Sequence, residues 1–164
     1  MDFSILLLGM LVAALFIVPF IWVVRSGNHA KAGFKKAVRQ QLLSHGLTAA
    51  KTGYFERVAL CVDVRKPALL WCERTGGQLA GSRLVMLDHV VDCQVLLNQQ
   101  TWSGKVNHSV SVDLVSLRLM FARGESMQES LLLFNSKHDD PMAAQQALEF
   151  ARYWKDLVNG MVRK

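Results

Sequence analysis

The chain has 164 residues, is 51% apolar and carries a formal net charge of +6. That length fits one domain plus an appendage, and the basic balance is local. Asp2 stands before the first apolar run, residues 25–51 hold six basic and no acidic side chains, and residues 52–164 hold 13 basic against 12 acidic. A near-neutral domain excludes polyanion recognition through a broad basic surface, so no nucleic-acid partner is expected.

The first predicted element is a transmembrane helix over 3–24, "FSILLLGMLVAALFIVPFIWVV", which contains no charge. At about 1.5 Å per residue it spans a hydrocarbon core of about 30 Å. Pro19 can be accommodated as a kink, and Trp22 sits where an amphipathic ring suits the interface. The competing reading is a signal peptide cleaved near the "AKA" of Ala30–Ala32. No Lys or Arg precedes the run, its length exceeds an ordinary h-region, and Arg25 and Lys31 crowd the cleavage site. A retained single span is therefore expected. Gly9 and Ala13, four residues apart, suit packing of one span against another and an oligomer built that way.

Residues 25–51 form a basic juxtamembrane helix and linker. Arg25, Lys31, Lys35, Lys36 and Arg39 are its candidate membrane-surface contacts. Basic residues flanking a span face the cytoplasm, so the C-terminal domain is expected inside. Each also gains about 1 kcal/mol near anionic headgroups. Ala30, Phe34, Val38 and Leu42 recur every four residues, and Gly46 is placed to end a helix. The pattern fits a stalk on the headgroups or a helix packed on the domain, and the stalk is the expectation. "LTAAKTG" reads as a linker.

The domain is predicted over 52–164. In "RVALCVDV", Val58, Leu60, Val62 and Val64 alternate onto one face. "ALLWCE" follows as a strand, and "RTGGQLAGS" as a turn through Gly76, Gly77 and Gly81. "RLVML" and "VVDCQVLL" are broken near Asp88 and His89. "VSVDLVSLRLMF" alternates with a slip at Val115, and "MQESLLLF" returns after "ARGES". The expected fold class is α+β. Six or seven short strands form an antiparallel barrel or sandwich, closed by a C-terminal amphipathic helix. That helix is the clearest element. Asp140 is a good N-cap and Pro141 suits the first helical position. Ala144, Ala147, Leu148, Ala151, Trp154, Leu157, Val158 and Met161 make its apolar stripe, with Trp154 as the structural anchor.

A series of short antiparallel strands, the "RLMFARGESMQESLLLF" hairpin and a final helix carrying Trp154 resemble the pleckstrin-homology-like (PH-like) superfold over residues 54–164. The pattern is also similar to small bacterial membrane proteins that place such a domain behind one span, which implies the inner membrane of a bacterium as its location. The resemblance implies a binding scaffold for peptides, proteins or lipid headgroups. The basic strand-loop cluster with which some relatives bind phosphoinositides lacks a counterpart. Arg65 and Lys66 form only a pair, and Arg74 and Arg83 lie across a turn.

No residues are expected to be catalytic, and no metal or other cofactor is expected. Around Gly104-Lys105, Gln99 and Val106 stand where a phosphate loop needs Gly and Ser or Thr. "KHDD" at 137–140 offers a metal one His and two carboxylates, but capping explains Asp before Pro. Cys61, Cys72 and Cys93 are odd in number, spaced for no metal motif and set among apolar neighbours, as reduced buried thiols would be.

The function expected is a membrane-anchored cytoplasmic binding or adaptor module without catalytic activity, presenting its domain to a protein partner or ligand. The alternatives are a structural subunit of a larger inner-membrane assembly, or a tethered enzyme drawing on Cys93, His89 and Asp139. If the C-terminal domain lies inside, a reporter enzyme active only in the periplasm should be silent when fused after Lys164. Strong activity from that fusion would reverse the topology.

Overall fold

The computed structural model describes residues 31–48, 51–63, 65–103, 108–122 and 128–162. They form a helix α1 over 31–44 and seven strands: β1 (Lys51–Phe55), β2 (Val58–Asp63), β3 (Ala68–Thr75), β4 (Gln78–Met86), β5 (Val90–Ser103), β6 (His108–Phe121) and β7 (Gln128–Asn135). The last element is helix α2 (Ala144–Val162). All strand pairs are antiparallel, in two sheets ordered β1-β2-β3-β4 and β5-β6-β7.

The antiparallel strands expected to close into a barrel do not close. Among the described residues the sheets are open, with four and three strands, and no strand pairs across from one to the other. The break lies at a 3₁₀ turn, Leu87–His89. Before it Met86 pairs with Ala68 of β3; after it Val90 pairs with Phe121 of β6. The turn thus hands the chain to a new partner strand. No helix among the described residues is long and apolar enough to cross a membrane. The transmembrane helix expected over 3–24, and Arg25 beside it, lie outside the described residues.

The helix expected to lie as a stalk on the headgroups packs on the first sheet instead. Phe34, Val38, Leu42 and Leu47 bury against Ala59, Cys61, Ala68, Leu70 and Cys72. Four of those five sheet residues are small, which lets the helix come close. Each buried large apolar side chain contributes about 1.5–3 kcal/mol before the cost of ordering it. Gly46, at φ +62°, ends the helix. Its N–H donates to Leu43 O at 3.0 Å, and Leu47 N–H reaches back to Leu42 O at 2.9 Å. This is the double closure of a Schellman motif, with Leu42 and Leu47 as its apolar contact. Lys66 Nζ donates to Gly46 O at 3.1 Å and pins the helix end to the sheet.

The opposite face of the first sheet meets the main core. Phe55, Val58, Leu60, Val62, Leu69, Trp71 and Val85 pack there with Val115, Leu117, Leu119, Leu131 and Leu133 of the second sheet and with α2. Side chains link the sheets where backbones do not. Trp71 Nε1 donates to Leu132 O at 3.0 Å, and Arg83 pairs with Glu129 at 3.5 Å.

Helix α2 packs against all three strands of the second sheet and reaches β1 of the first. Asp140 Oδ1 accepts from Met142 N–H at 2.9 Å, and Pro141 opens a 3₁₀ turn, Pro141–Ala143, that leads into α2. Ala147, Ala151, Trp154 and Val158 are buried along one stripe. Phe150, outside the predicted stripe, stacks on Phe55 with centroids 5.5 Å apart. Trp154 is 1% exposed and lies on the backbone of Gly53. A Cβ at Gly53 would come within 2.8 Å of Trp154 Nε1 and 2.9 Å of Phe150 Cε2. Asn159 then takes Cys93 of β5 in a two-point grip, accepting from its N–H at 2.8 Å and donating to its O at 3.0 Å.

Trp154→Ala should cost about 3–5 kcal/mol, the range for emptying a large aromatic site. Gly53→Ala should cost about 1–3 kcal/mol by overpacking the same contact. Urea unfolding of the chain from Lys31 onward checks both. An unchanged midpoint for either variant would place α2 outside the core.

Candidate functional site

The first turns of α1 carry Lys31, Phe34 and Lys35. Phe34 is buried by the docking just described, so its flanking lysines are held at a fixed height over the edge of the sheet. There they meet Tyr54 of β1, Glu56 of the β1–β2 turn and Arg74 near the end of β3. Together these six residues line a cavity of about 270 Å³.

Aromatic rings position two of the cations. Lys35 Nζ sits 5.5 Å from the Tyr54 ring centroid, and Arg74 Cζ sits 5.7 Å from that of Phe34. The rings themselves meet edge to face at 6.2 Å and 77°. Arg74 Nε donates to Glu56 O at 3.1 Å. Glu56 has φ +42°, a left-handed conformation that a glycine would adopt more cheaply. The arginine thus braces a strained turn. Three cations stand against one carboxylate, a formal net charge of +2 around the cavity. Burial raises the Tyr54 phenol above its ordinary value, and the thiols of Cys61 and Cys72 push it the same way. At neutral pH the Tyr54 hydroxyl is therefore a hydrogen-bond donor.

A second cavity, of about 480 Å³, continues along α1 on the other side of Lys35 and Tyr54. Arg39, Leu42, Leu43, Leu47, Thr48 and Thr52 complete its wall. Leu43 is 70% exposed there, a large apolar side chain facing solvent beside basic neighbours.

The other sequence-predicted residues have separate settings. Lys36 and Arg39 are exposed, as are Lys31 and Lys35, so the four cations form the outer face of a helix whose inner face is buried. Arg25 lies outside the described residues. Cys93 is buried, and burial together with Asp92 pushes its thiol up to about 12, which leaves it protonated. His89 is exposed on the 3₁₀ turn. Asp139 is committed to Arg57 Nε at 2.6 Å and to Asn135 N–H at 2.8 Å. Cys93, His89 and Asp139 thus hold separate sets of partners. Among the described residues, no three His, Cys, Asp or Glu side chains converge as a metal site would require. Reading the sequence set Arg74 aside as one cation across a turn. The structure brings it to lysines more than 35 positions away, a pairing that no local pattern encodes.

No protein-family model matches the chain, and neither a curated protein nor a solved structure matches it.

Asp63 secures the connection behind the second cavity. Its carboxylate accepts from Thr48 N–H at 2.6 Å, Arg65 N–H at 2.8 Å and Lys66 N–H at 3.4 Å. The Thr48 bond, chief among these contacts, holds the Asp63 carboxyl below the usual range, against the opposing effect of burial. The folded value lies below the unfolded one. Its contribution to stability is therefore present above about pH 4 and lost as pH falls through the folded value. Asp63→Asn should lower the melting temperature at neutral pH and flatten the loss of stability on acidification. Melting curves between roughly pH 3 and pH 6 check this, and parallel curves for the two chains would contradict it.

Proposed function

We propose that the chain is a membrane-tethered, cytoplasmic binding module. It works by recognition rather than catalysis, and its target docks on the face built by α1, β1 and the end of β3. The observation that carries this reading is the burial of α1 on the first sheet with its four cations turned outward. A helix free of the domain would carry its charges independently of it. A docked one makes them part of the same rigid surface as Tyr54 and Arg74.

The apolar run over 3–24 supplies the tether in this reading. Residues 25–30 alone separate it from the first described turn of α1. Even fully extended, that connection reaches about 25 Å. The α1 face would stay close to the bilayer, with Lys31 nearest. The exposed Leu43 and the cavity beside it extend the face along the helix. A target could then be met by charge at one end and by apolar contact at the other.

Photo-crosslinking in cells tests where the target docks. A photoreactive residue replacing Leu43 should give a discrete adduct. One replacing Leu97, exposed on β5 beside α2, should give none. Adducts from Leu97 alone, or equally from both positions, would move the recognition surface off α1 and end this reading.

A further inference from the structure

We propose that the open cleft lined by Lys31, Lys35 and Arg74 over Phe34 and Tyr54 binds a phosphate monoester, borne either by a lipid headgroup or by a small soluble molecule. This deepens the recognition reading above and takes from it the position of the cavity near the bilayer.

Charge is the first reason. The lining residues carry a formal +2, three cations less the Glu56 carboxylate. A phosphate monoester carries about −1.5 to −2 at neutral pH, whereas a diester or a carboxylate carries about −1. The monoester comes nearest to neutralising the site.

Donor geometry is the second reason. Arg74 spends Nε on Glu56 O, and among the described residues its terminal nitrogens make no hydrogen bond. Those two nitrogens are the fork that takes two phosphate oxygens at once. Lys31 and Lys35 supply point charges for the remaining oxygen, and the Tyr54 hydroxyl adds a donor. The cations are also pre-positioned. Phe34 holds the guanidinium and Tyr54 the Lys35 ammonium, so less side-chain freedom is lost when an anion arrives.

Size and shape limit the remainder of the ligand. A volume of about 270 Å³ lies below the usual range for drug-sized ligands and suits a phosphate with a few carbon atoms. The aromatic rings already carry cations on their faces, which speaks against a stacked nucleobase. Glycerol 3-phosphate and the headgroup of phosphatidic acid share the required chemistry.

Two arms separate the sources. Calorimetry on the full chain in neutral detergent reads binding of glycerol 3-phosphate. Native mass spectrometry of the same preparation reads retention of added phosphatidic acid against phosphatidylglycerol, a diester. Binding in either arm supports the site and identifies its source. In that arm Arg74→Gln should weaken binding about tenfold or more, and Lys36→Gln, outside the cavity, less than about twofold. Glu56→Gln should strengthen it. Affinity should rise as pH passes through about 6, where the monoester loses its second proton. Lys35→Gln leaves the Glu56 turn intact and replaces Arg74→Gln if that variant melts early. No binding in either arm overturns the proposal, as does equal retention of monoester and diester lipid. Equal losses from Arg74→Gln and Lys36→Gln would do the same, by showing diffuse attraction. If the Leu43 adduct persists in any of these cases, recognition at the α1 face stands and only the phosphate site falls.

Discussion

The structure depends on β2 and β3 being buried on both faces. Every described residue of β2 is buried, as is β3 from Ala68 to Cys72. In a lone antiparallel sheet one of those faces would meet water and carry polar side chains. Here Ala59, Cys61, Ala68, Leu70 and Cys72 make the outer face apolar, and it must be covered. Helix α1 is the cover. Its burial fixes where Lys31 and Lys35 stand, and therefore where the cavity forms. The candidate site is a consequence of covering the outer face.

The inner face obeys a different constraint. Two open sheets leave unpaired edges, and α2 lies where β1 and β5 present theirs. It meets β1 through close contact, with Trp154 lying directly on Gly53. It meets β5 through hydrogen bonds, with Asn159 satisfying both backbone groups of Cys93. Trp154 Nε1 is buried and has no hydrogen-bond partner among the described residues, and that loss is tolerated because the ring fills the corner between the sheets. Buried unpaired donors cost about 1–3 kcal/mol, less than emptying the same site of its ring.

The two layers divide labour. The main core, with its large aromatic and branched side chains, supplies most of the buried apolar volume. The smaller cluster under α1 contributes less but positions more. It ties the basic segment to the domain through apolar packing, Lys66 and Asp63. Near a bilayer such a tie changes what the cations can do. Mobile lysines on a free stalk respond to total surface charge and are screened by salt. Lysines held beside an arginine and two rings keep a fixed arrangement of charge.

Local patterning in the sequence determined several elements because their causes are local. Alternation at Val58, Leu60 and Val62 marked β2, Gly46 marked the end of α1, and the stripe through Trp154 marked α2. Three features were missed for physical reasons. β1, "KTGYF", is mostly exposed and carries a glycine, so it looks like a linker; Gly53 is there because Trp154 needs the space. The second half of β5, "NQQTWS", is polar and is a strand through its pairing with β6. The turn assigned to "RTGGQLAGS" is only Gly76-Gly77, after which β4 begins at Gln78 and takes in Gly81. The need for a cover was legible in principle, because the residues at 59, 61, 68, 70 and 72 are apolar, but the sequence does not say which element supplies it. Sequence by itself determined the two helices, the strands with an alternating or apolar pattern and where the charge lies, since backbone preference and burial periodicity act over a few residues. Tertiary structure alone decided that the strands divide into two open sheets, that α1 covers one of them, and that Arg74 joins Lys31 and Lys35. Those outcomes depend on which distant surfaces exclude water together, a quantity with no period in the chain.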